Sequence, residues 1–162
     1  MKRLVFVVLC LAAALPGCQR EAPQNNVREA GPPPKAPSGL DQAILTIESG
    51  GRSHRFTVEV ARTEQQQAQG LMGRRTLPAD RGMLFPFDPP RAAEFWMRGT
   101  LIPLDMLFIR TNGTIAKIAA NTVPLSEEPV GTDEELSAVL ELRGGRAAEL
   151  GIREGDTVSW SD

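Results

Sequence analysis

Glycine and proline interrupt the chain so often after residue 40 that only short helices and strands fit between them. The densest group of these residues consists of Pro78, Gly82, Pro86, Pro89 and Pro90. Proline removes a backbone donor and glycine weakens a strand interior. We therefore predict only brief strands here, at residues 82–85 and 93–98. About 120 residues remain from Asp41 onward, enough for one domain with one core and too few for two.

The sequence predicts two hairpins, the first from alternating apolar and polar residues and the second from its turn. One surrounds Gly50-Gly51, and the other surrounds Thr111-Asn112-Gly113, where Asn-Gly is a typical hairpin turn. The strands of these hairpins are predicted at residues 43–48, 55–61, 104–110 and 114–120. Residues 136–142 form another strand candidate, and a last strand is predicted to end at Trp160.

Two short helices complete the prediction. Thr63-Glu64-Gln65-Gln66 fits a capping box, which predicts a helix from Glu64 to about Gln69 that stops near Gly70. Residues 144–150 predict a second short helix, followed by a tight turn at residues 151–156. The pattern indicates an α+β fold: a small, mostly antiparallel, partly closed β-barrel or curled sheet with two short helices.

Residues 1–17 have the form of a secretory signal peptide. A positively charged start precedes an apolar run at residues 4–15, which is too short to remain as a membrane-spanning helix. Cleavage before Cys18, as in bacterial lipoproteins, and ordinary cleavage after Ala14 are both compatible with the sequence. We favour the first, because the second leaves Cys18 as an unpaired thiol in an oxidising compartment.

Lipidation of Cys18 would anchor the protein to a membrane, since lipoproteins carry more than one acyl chain. Gln19 follows the cysteine, which favours the outer membrane, so we expect the protein at the periplasmic face of the cell envelope. The alternative is a soluble periplasmic protein. Residues 18–40 are rich in proline and predict a disordered tether, and residues 41–162 predict a single globular domain.

Charge and residue usage exclude several functions. Cleavage of the leader would remove two of the 18 basic residues and leave 16 basic against 20 acidic residues. The resulting net negative charge argues against nucleic-acid binding. His54 is the only histidine and Cys18 is the only cysteine outside the leader, so we expect no zinc site, no other metal and no cofactor. No serine lies in a nucleophile elbow. We expect a monomer.

The stretch from Gly70 to Asp105 carries most of the remaining information. It contains the elements GLM, GMLF, FWM and T-x-IPLD, and FIRTNGTI, VLEL and GIREGDTV follow later. These elements resemble the domain-of-unknown-function 192 family of bacteria and archaea, over residues 44–160. The resemblance implies a small α+β domain with much antiparallel sheet, and it supplies no catalytic mechanism. Where this chain has Arg98-Gly99-Thr100, the family usually has Lys-Asn-Thr, so a contact made by that asparagine would be lost or altered.

Aromatic, arginine and carboxylate residues concentrate in the same stretch and predict a lined pocket. The residues predicted to form it are Trp96, Arg98, Thr100 and Asp105, with Met72 and Arg74 at its edge. Alternation places Trp96 and Arg98 on one face, where they could form a cation–π platform at the mouth of the pocket. The alternative is that Trp96 packs on a neighbouring strand while Arg98 extends over it.

Two carboxylates stand in apolar sequence, Asp105 in IPLDMLF and Glu141 in VLEL. Burying an unpaired carboxylate is costly, so Asp105 requires a partner, and a salt bridge or a backbone hydrogen bond is favoured over a ligand or acid/base role. If Asp105 and Glu141 share a cleft, they could act as a general acid/base pair.

These observations favour a non-enzymatic ligand-binding or accessory module, tethered to the envelope, whose partner is a small ligand or an envelope protein. One alternative is a hydrolase-type enzyme that uses Asp105 and Glu141 as acid and base. Another is a structural or partner-docking domain, which a fully buried Trp96 would favour.

Overall fold

A computed structural model describes residue 36 and residues 38–161 of the chain. The predicted signal peptide, Cys18 and most of the predicted tether lie outside the described residues. The strands are β1 (Gln42–Ser49), β2 (Arg52–Val60), β3 (Arg81–Phe95), β4 (Leu104–Arg110), β5 (Ile115–Ala119), β6 (Val130–Arg143) and β7 (Thr157–Ser161). The helices are α1 (Glu64–Gln69) and α2 (Arg146–Leu150). Neither of the helices in this part of the chain is long and apolar enough to cross a membrane.

The strands form one sheet in the order β5-β4-β6-β3-β2-β1-β7. Neighbouring strands are antiparallel except β2 and β3, which are parallel and are connected through α1. The two ends of the sheet also meet, because Thr114 bridges Thr157 and the backbone N–H of Val158 donates to the Gly113 carbonyl at 2.8 Å. The sheet therefore curls on itself, which confirms the predicted α+β fold with a curled, partly closed sheet and two short helices.

Each face of the curled sheet carries its own hydrophobic core. The inner core takes residues from all seven strands and from α2, including Leu45, Phe56, Leu107 and Leu140. The outer core lies on β3, β4 and β6 and includes Met83, Phe85, Met106, Phe108 and Val139. Leu71, Leu77 and Met97 come from the connecting segments and cover this outer face. The outer face is thus buried under loops, and that arrangement creates the site described below.

Strand β3 differs from the prediction of two brief strands. It is one element of 15 residues, and its pairing with β6 shifts register between Pro86 and Arg91. A proline at such an irregularity does not have to donate a ladder hydrogen bond, so the prolines bend the strand without ending it. The strand ends at Phe95, so Trp96 and Arg98 lie in the loop that follows.

The predicted capping box and the turn between β4 and β5 are confirmed, whereas β6 begins at Val130, six residues before the predicted start at Leu136. The Thr63 hydroxyl accepts a hydrogen bond from the Gln66 N–H, and the Gln66 side chain accepts one from the Thr63 N–H, so α1 begins with the predicted capping box. Gly113 has φ +80 in the turn between β4 and β5, a conformation that favours glycine. Short sequence motifs therefore specify where α1 begins and where the chain turns between β4 and β5.

Candidate functional site

A cavity of about 170 Å³ lies over the outer face of the sheet. The end of α1 and the following loop, residues 67–72, form one wall, and Trp96 and Thr100 form another. Strand β3 contributes Phe85, Arg91, Glu94 and Phe95, and strand β6 contributes Glu141. The site is therefore built where the loops that cover the outer core leave a gap above the sheet.

Glu141 is the chemically distinctive residue of this cavity. It stands opposite Met83 on β3 and Met106 on β4, neither of which can neutralise a carboxylate. Its residue surface is 5% exposed, and none of the described residues gives its carboxyl group a hydrogen bond or an ion pair. Burial raises the pKa of Glu141 to about 8. At neutral pH the carboxyl is thus mostly protonated and has no partner within this part of the chain.

Trp96 lies at the edge of the cavity and is 50% exposed. The Arg98 guanidinium carbon lies 4.6 Å from the centre of its ring, so the cation–π contact predicted from the sequence is present. Thr100 is buried and also lines the cavity. The structure therefore brings Trp96, Arg98 and Thr100 together, with Arg98 on the ring of Trp96 and outside the cavity lining.

Position 99, where the family usually has asparagine, adjoins the same cavity. Gly99 has φ +71, a left-handed conformation that glycine and, less readily, asparagine adopt. A Cβ atom at this position would lie 3.1 Å from the Met72 sulfur, and Met72 lines the cavity. Glycine therefore lets Met72 approach the backbone more closely than a residue with a side chain would.

Arg74 is bound elsewhere. Its guanidinium donates to both carboxylate oxygens of Glu59, each at 2.6 Å. Burial acts to raise the pKa of Glu59, but hydrogen bonds from Arg74 and Ser38 outweigh it and leave that pKa lowered. Arg74 lines a neighbouring cavity along α1, together with Met72. Arg74 thus lies next to the site, and its charge is already paired with that of Glu59.

Asp105 does not border the cavity. It is fully buried, and its carboxylate accepts hydrogen bonds from the backbone N–H groups of Asn121 (2.7 Å), Gly145 (2.9 Å) and Ala147 (2.8 Å). The predicted pocket role is corrected by this geometry, since the residue holds the entry of α2 and the turn after β5. Of the two structural roles favoured from the sequence, a salt bridge or a backbone hydrogen bond, the structure shows backbone hydrogen bonds.

Asp105 and Glu141 do not share a cleft. Met106 is paired with Glu141 on the outer face, so its neighbour Asp105, paired with Leu142, projects from the opposite face. The acid/base pair considered from the sequence is therefore not formed, because the sheet itself separates the two carboxyl groups. Trp96 is not fully buried either, so the condition that would favour a purely structural domain is not met.

Sequence reasoning did not single out the charged residues Arg91 and Glu94 as site residues. Arg91 and Glu94 both line the cavity, and the Arg91 guanidinium carbon lies 4.2 Å from the centre of the Phe87 ring. Glu94 lies two positions before Trp96, a spacing that strand alternation puts on one face, so the sequence held a usable signal for it. Arg91 lies beyond the irregular prolines, where alternation gives no guidance. Within residues 38–161, no group of three or more His, Cys, Asp or Glu side chains could hold a metal ion.

Comparisons with known proteins agree with this architecture. The DUF192 family, described as "Uncharacterized ACR", matches residues 45–160. A crystal structure of a protein of unknown function from Novosphingobium aromaticivorans is 44% identical, with 82% of this chain and 94% of that chain covered and a TM-score of 0.77. A second crystal structure, of a proposed transcription regulator from Sinorhizobium meliloti, is 41% identical, with 75% of this chain and 95% of that chain covered and a TM-score of 0.73. No curated protein matches the chain.

Proposed function

The chain belongs to the DUF192 family, and we propose that it is a ligand-binding module held at the cell envelope, with the cavity over Glu141 as its binding site. The observation that carries this proposal is the buried Glu141 carboxyl group, which faces the cavity and has no partner among the described residues. Its oxygen atoms are not fully buried, so a ligand in the cavity can reach them. Such a ligand would supply the partner that the described residues do not provide.

The size and walls of the cavity support a small ligand. At about 170 Å³ it is comparable with a cavity of about 150 Å³ that accommodates benzene. Trp96 stands half exposed at its edge with Arg98 on its ring, and tryptophan and arginine are enriched at binding hot spots. The aromatic edge would contact the body of a ligand whose polar group reaches Glu141.

An apolar surface adjoins the cavity and would extend the contact with a ligand. The exposed large hydrophobic residues among those described are Trp96, Leu101, Val123 and Leu125. They lie on two adjacent loops, because the Leu125 N–H donates to the Thr100 carbonyl at 3.1 Å. Contiguous exposed apolar residues are typical of interaction sites, so the apolar part of a ligand would rest there.

The envelope part of the proposal is supported by the sequence of residues 1–40, which combines a signal peptide, a lipidation cysteine and a proline-rich tether. Metabolic labelling with a fatty-acid analogue tests it directly. We expect wild-type protein to incorporate the label and a Cys18→Ser variant to lose it. Unlabelled wild-type protein recovered in the soluble periplasm would instead support cleavage after Ala14.

Binding is tested by thermal-shift measurements with amines, anions, saccharides and peptidoglycan fragments. We expect at least one class to stabilise the wild-type protein, and we expect Trp96→Ala and Glu141→Gln to reduce that stabilisation. Glu48→Gln is the matched control, because Glu48 is exposed and does not line the cavity. A flat response of the wild-type protein to every class would contradict the proposed function.

A further inference from the structure

We propose that the ligand is an organic cation, a compact protonated amine on an apolar body, whose ammonium group pairs with Glu141. This inference rests on the proposed function of the cavity and adds the chemical class of its ligand. Its starting point is a geometric one. Glu141, a residue that is 5% exposed, lines a small cavity with aromatic walls, and no described residue donates to its carboxyl group.

Two side-chain donors that line the cavity with Glu141 are directed elsewhere. The Gln67 side-chain amide donates to the carbonyls of Ala61 (3.2 Å) and Pro86 (3.1 Å). The Arg91 guanidinium lies over the Phe87 ring and makes no ion pair with Glu141. The protein therefore supplies no cation for this carboxyl group, although Arg91 lines the same cavity.

The walls of the cavity fit a cation better than an anion. Trp96, Phe85 and Phe95 present aromatic surface, and aromatic faces attract ammonium groups. The charged or titratable groups that line the cavity are Arg91 and Glu94 on β3 and Glu141 on β6, two carboxyl groups against one guanidinium. An ammonium group would donate an ionic hydrogen bond to the Glu141 carboxylate, whereas an anion would lie beside Glu94 and could meet Glu141 only in its protonated form.

Pairing with an ammonium group requires Glu141 to be ionised. Burial raises the pKa of the free carboxyl to about 8, so near neutral pH binding converts the protonated carboxyl to a carboxylate and releases one proton to solvent. The ammonium keeps its own proton throughout. At pH values below the pKa of Glu141, the affinity for an amine should therefore increase about tenfold for each unit by which the pH is raised, as expected when binding releases one proton.

The test uses three probes with one ring and different charges: benzylamine, benzyl alcohol and benzoate. NMR follows the Trp96 indole N–H for binding and the Glu141 carboxyl ¹³C signal for ionisation in the purified protein. We expect benzylamine to bind most tightly and to lower the titration midpoint of Glu141 by at least one pH unit at saturation. Benzyl alcohol should leave that midpoint unchanged or raise it, because it accepts a hydrogen bond from the protonated acid.

Matched variants separate the two acids of the cavity. Glu141→Gln should abolish both tight benzylamine binding and the rise of affinity with pH, while its thermal melt shows that it remains folded. Glu94→Gln should weaken binding by a smaller factor and keep the pH dependence. Glu48→Gln should behave as wild type.

The outcomes distinguish the two proposals. Tighter binding of benzyl alcohol or benzoate than of benzylamine, or benzylamine binding without a lower Glu141 midpoint, would overturn the amine class and leave a binding cavity in place. If none of the three probes perturbs Trp96, the amine class is also overturned. If, in addition, the thermal-shift panel is flat, the proposed binding function is overturned with it.

Discussion

Asp105 and Glu141 lie on neighbouring strands of one sheet, both are buried, and they project from opposite faces. On the inner face, three backbone N–H groups surround the Asp105 carboxylate. On the outer face, the Glu141 carboxyl has methionine neighbours and no donor among the described residues. Burial alone therefore does not identify a functional acid, because the supply of donors around each carboxyl differs.

The difference follows from what covers each face. The inner face near Asp105 receives the start of α2, where the N–H groups of Gly145 and Ala147 lack helical partners. Gly145 takes a left-handed conformation with φ +81 at this entry. The Gly144-Gly145-Arg146 turn is thus an anion site that the protein fills with its own carboxylate. The outer face is covered by apolar loop residues, and Glu141 lines the cavity that they leave.

The largest effect is expected from removing the satisfied acid. Asp105→Ala would leave three backbone N–H groups without their shared acceptor, so we expect a loss of about 3–5 kcal/mol in the free energy of unfolding. Urea denaturation at pH 7 measures it. Glu141→Gln is the control, since it removes a buried acid that has no partner, and it should cost far less. If both variants lost a similar free energy of unfolding, the contrast between a satisfied Asp105 and an unsatisfied Glu141 would be wrong.

The second prediction concerns pH. The pKa of Glu141 is raised to about 8 from an ordinary 4.5, so in that range the folded state holds a proton that the unfolded state releases. The free energy of unfolding should therefore fall as pH rises from about 4.5 to about 8, by up to about 1.4 kcal/mol per pH unit. Glu141→Gln should remove this part of the slope.

Urea denaturation of wild type and Glu141→Gln at pH 5, 6, 7 and 8 checks this prediction. The wild-type protein should lose stability relative to the variant as the pH rises. Parallel curves for the two proteins would show that Glu141 keeps an ordinary pKa in the folded state.

Glu59 is a third buried acid, and removing its partner Arg74 is expected to give the smallest of the three stability changes. Glu59 is 8% exposed and is satisfied by a side chain, the partly exposed Arg74. Arg74→Ala should cost about 2 kcal/mol at pH 7, because it leaves a buried carboxylate without its main partner. The pKa of Glu59 is lowered, so this contribution is present above about pH 4.5 and is lost as the pH falls through the folded-state pKa.

Comparing the unfolding free energies of Arg74→Ala and wild type at pH 7 and pH 3 checks the sign. The difference between the two proteins should shrink at the lower pH. A difference that is equally large at pH 3 would assign the effect to packing of the arginine stem instead of to the ion pair.

Several elements could be predicted because their causes are local. The Thr63 capping box and the Asn112-Gly113 turn depend on residues within a few positions of one another. Strand β3 was misjudged because its three prolines read as breaks. They are tolerated only where β6 leaves a register shift beside them, and that pairing joins residues distant in sequence.

The site was predicted in part for the same reason. Trp96 and Arg98 are two positions apart, so their contact was visible in the sequence and is present in the structure. Arg91 and Glu141 reach the same cavity from different strands, and Arg74 turns to Glu59. No local pattern encodes which of several arginines meets which acid.

The sequence by itself determined the turns and the capping box, because these depend on steric and hydrogen-bonding preferences of near neighbours. The long-range pairing of β4 with β6 set Asp105 and Glu141 on opposite faces. Only the tertiary structure decided what each face meets. The partners of Asp105 come from 16, 40 and 42 positions later in the chain, whereas the loops over Glu141 bring no donor to it. Long-range packing thus made one acid part of the framework and left the other facing a cavity.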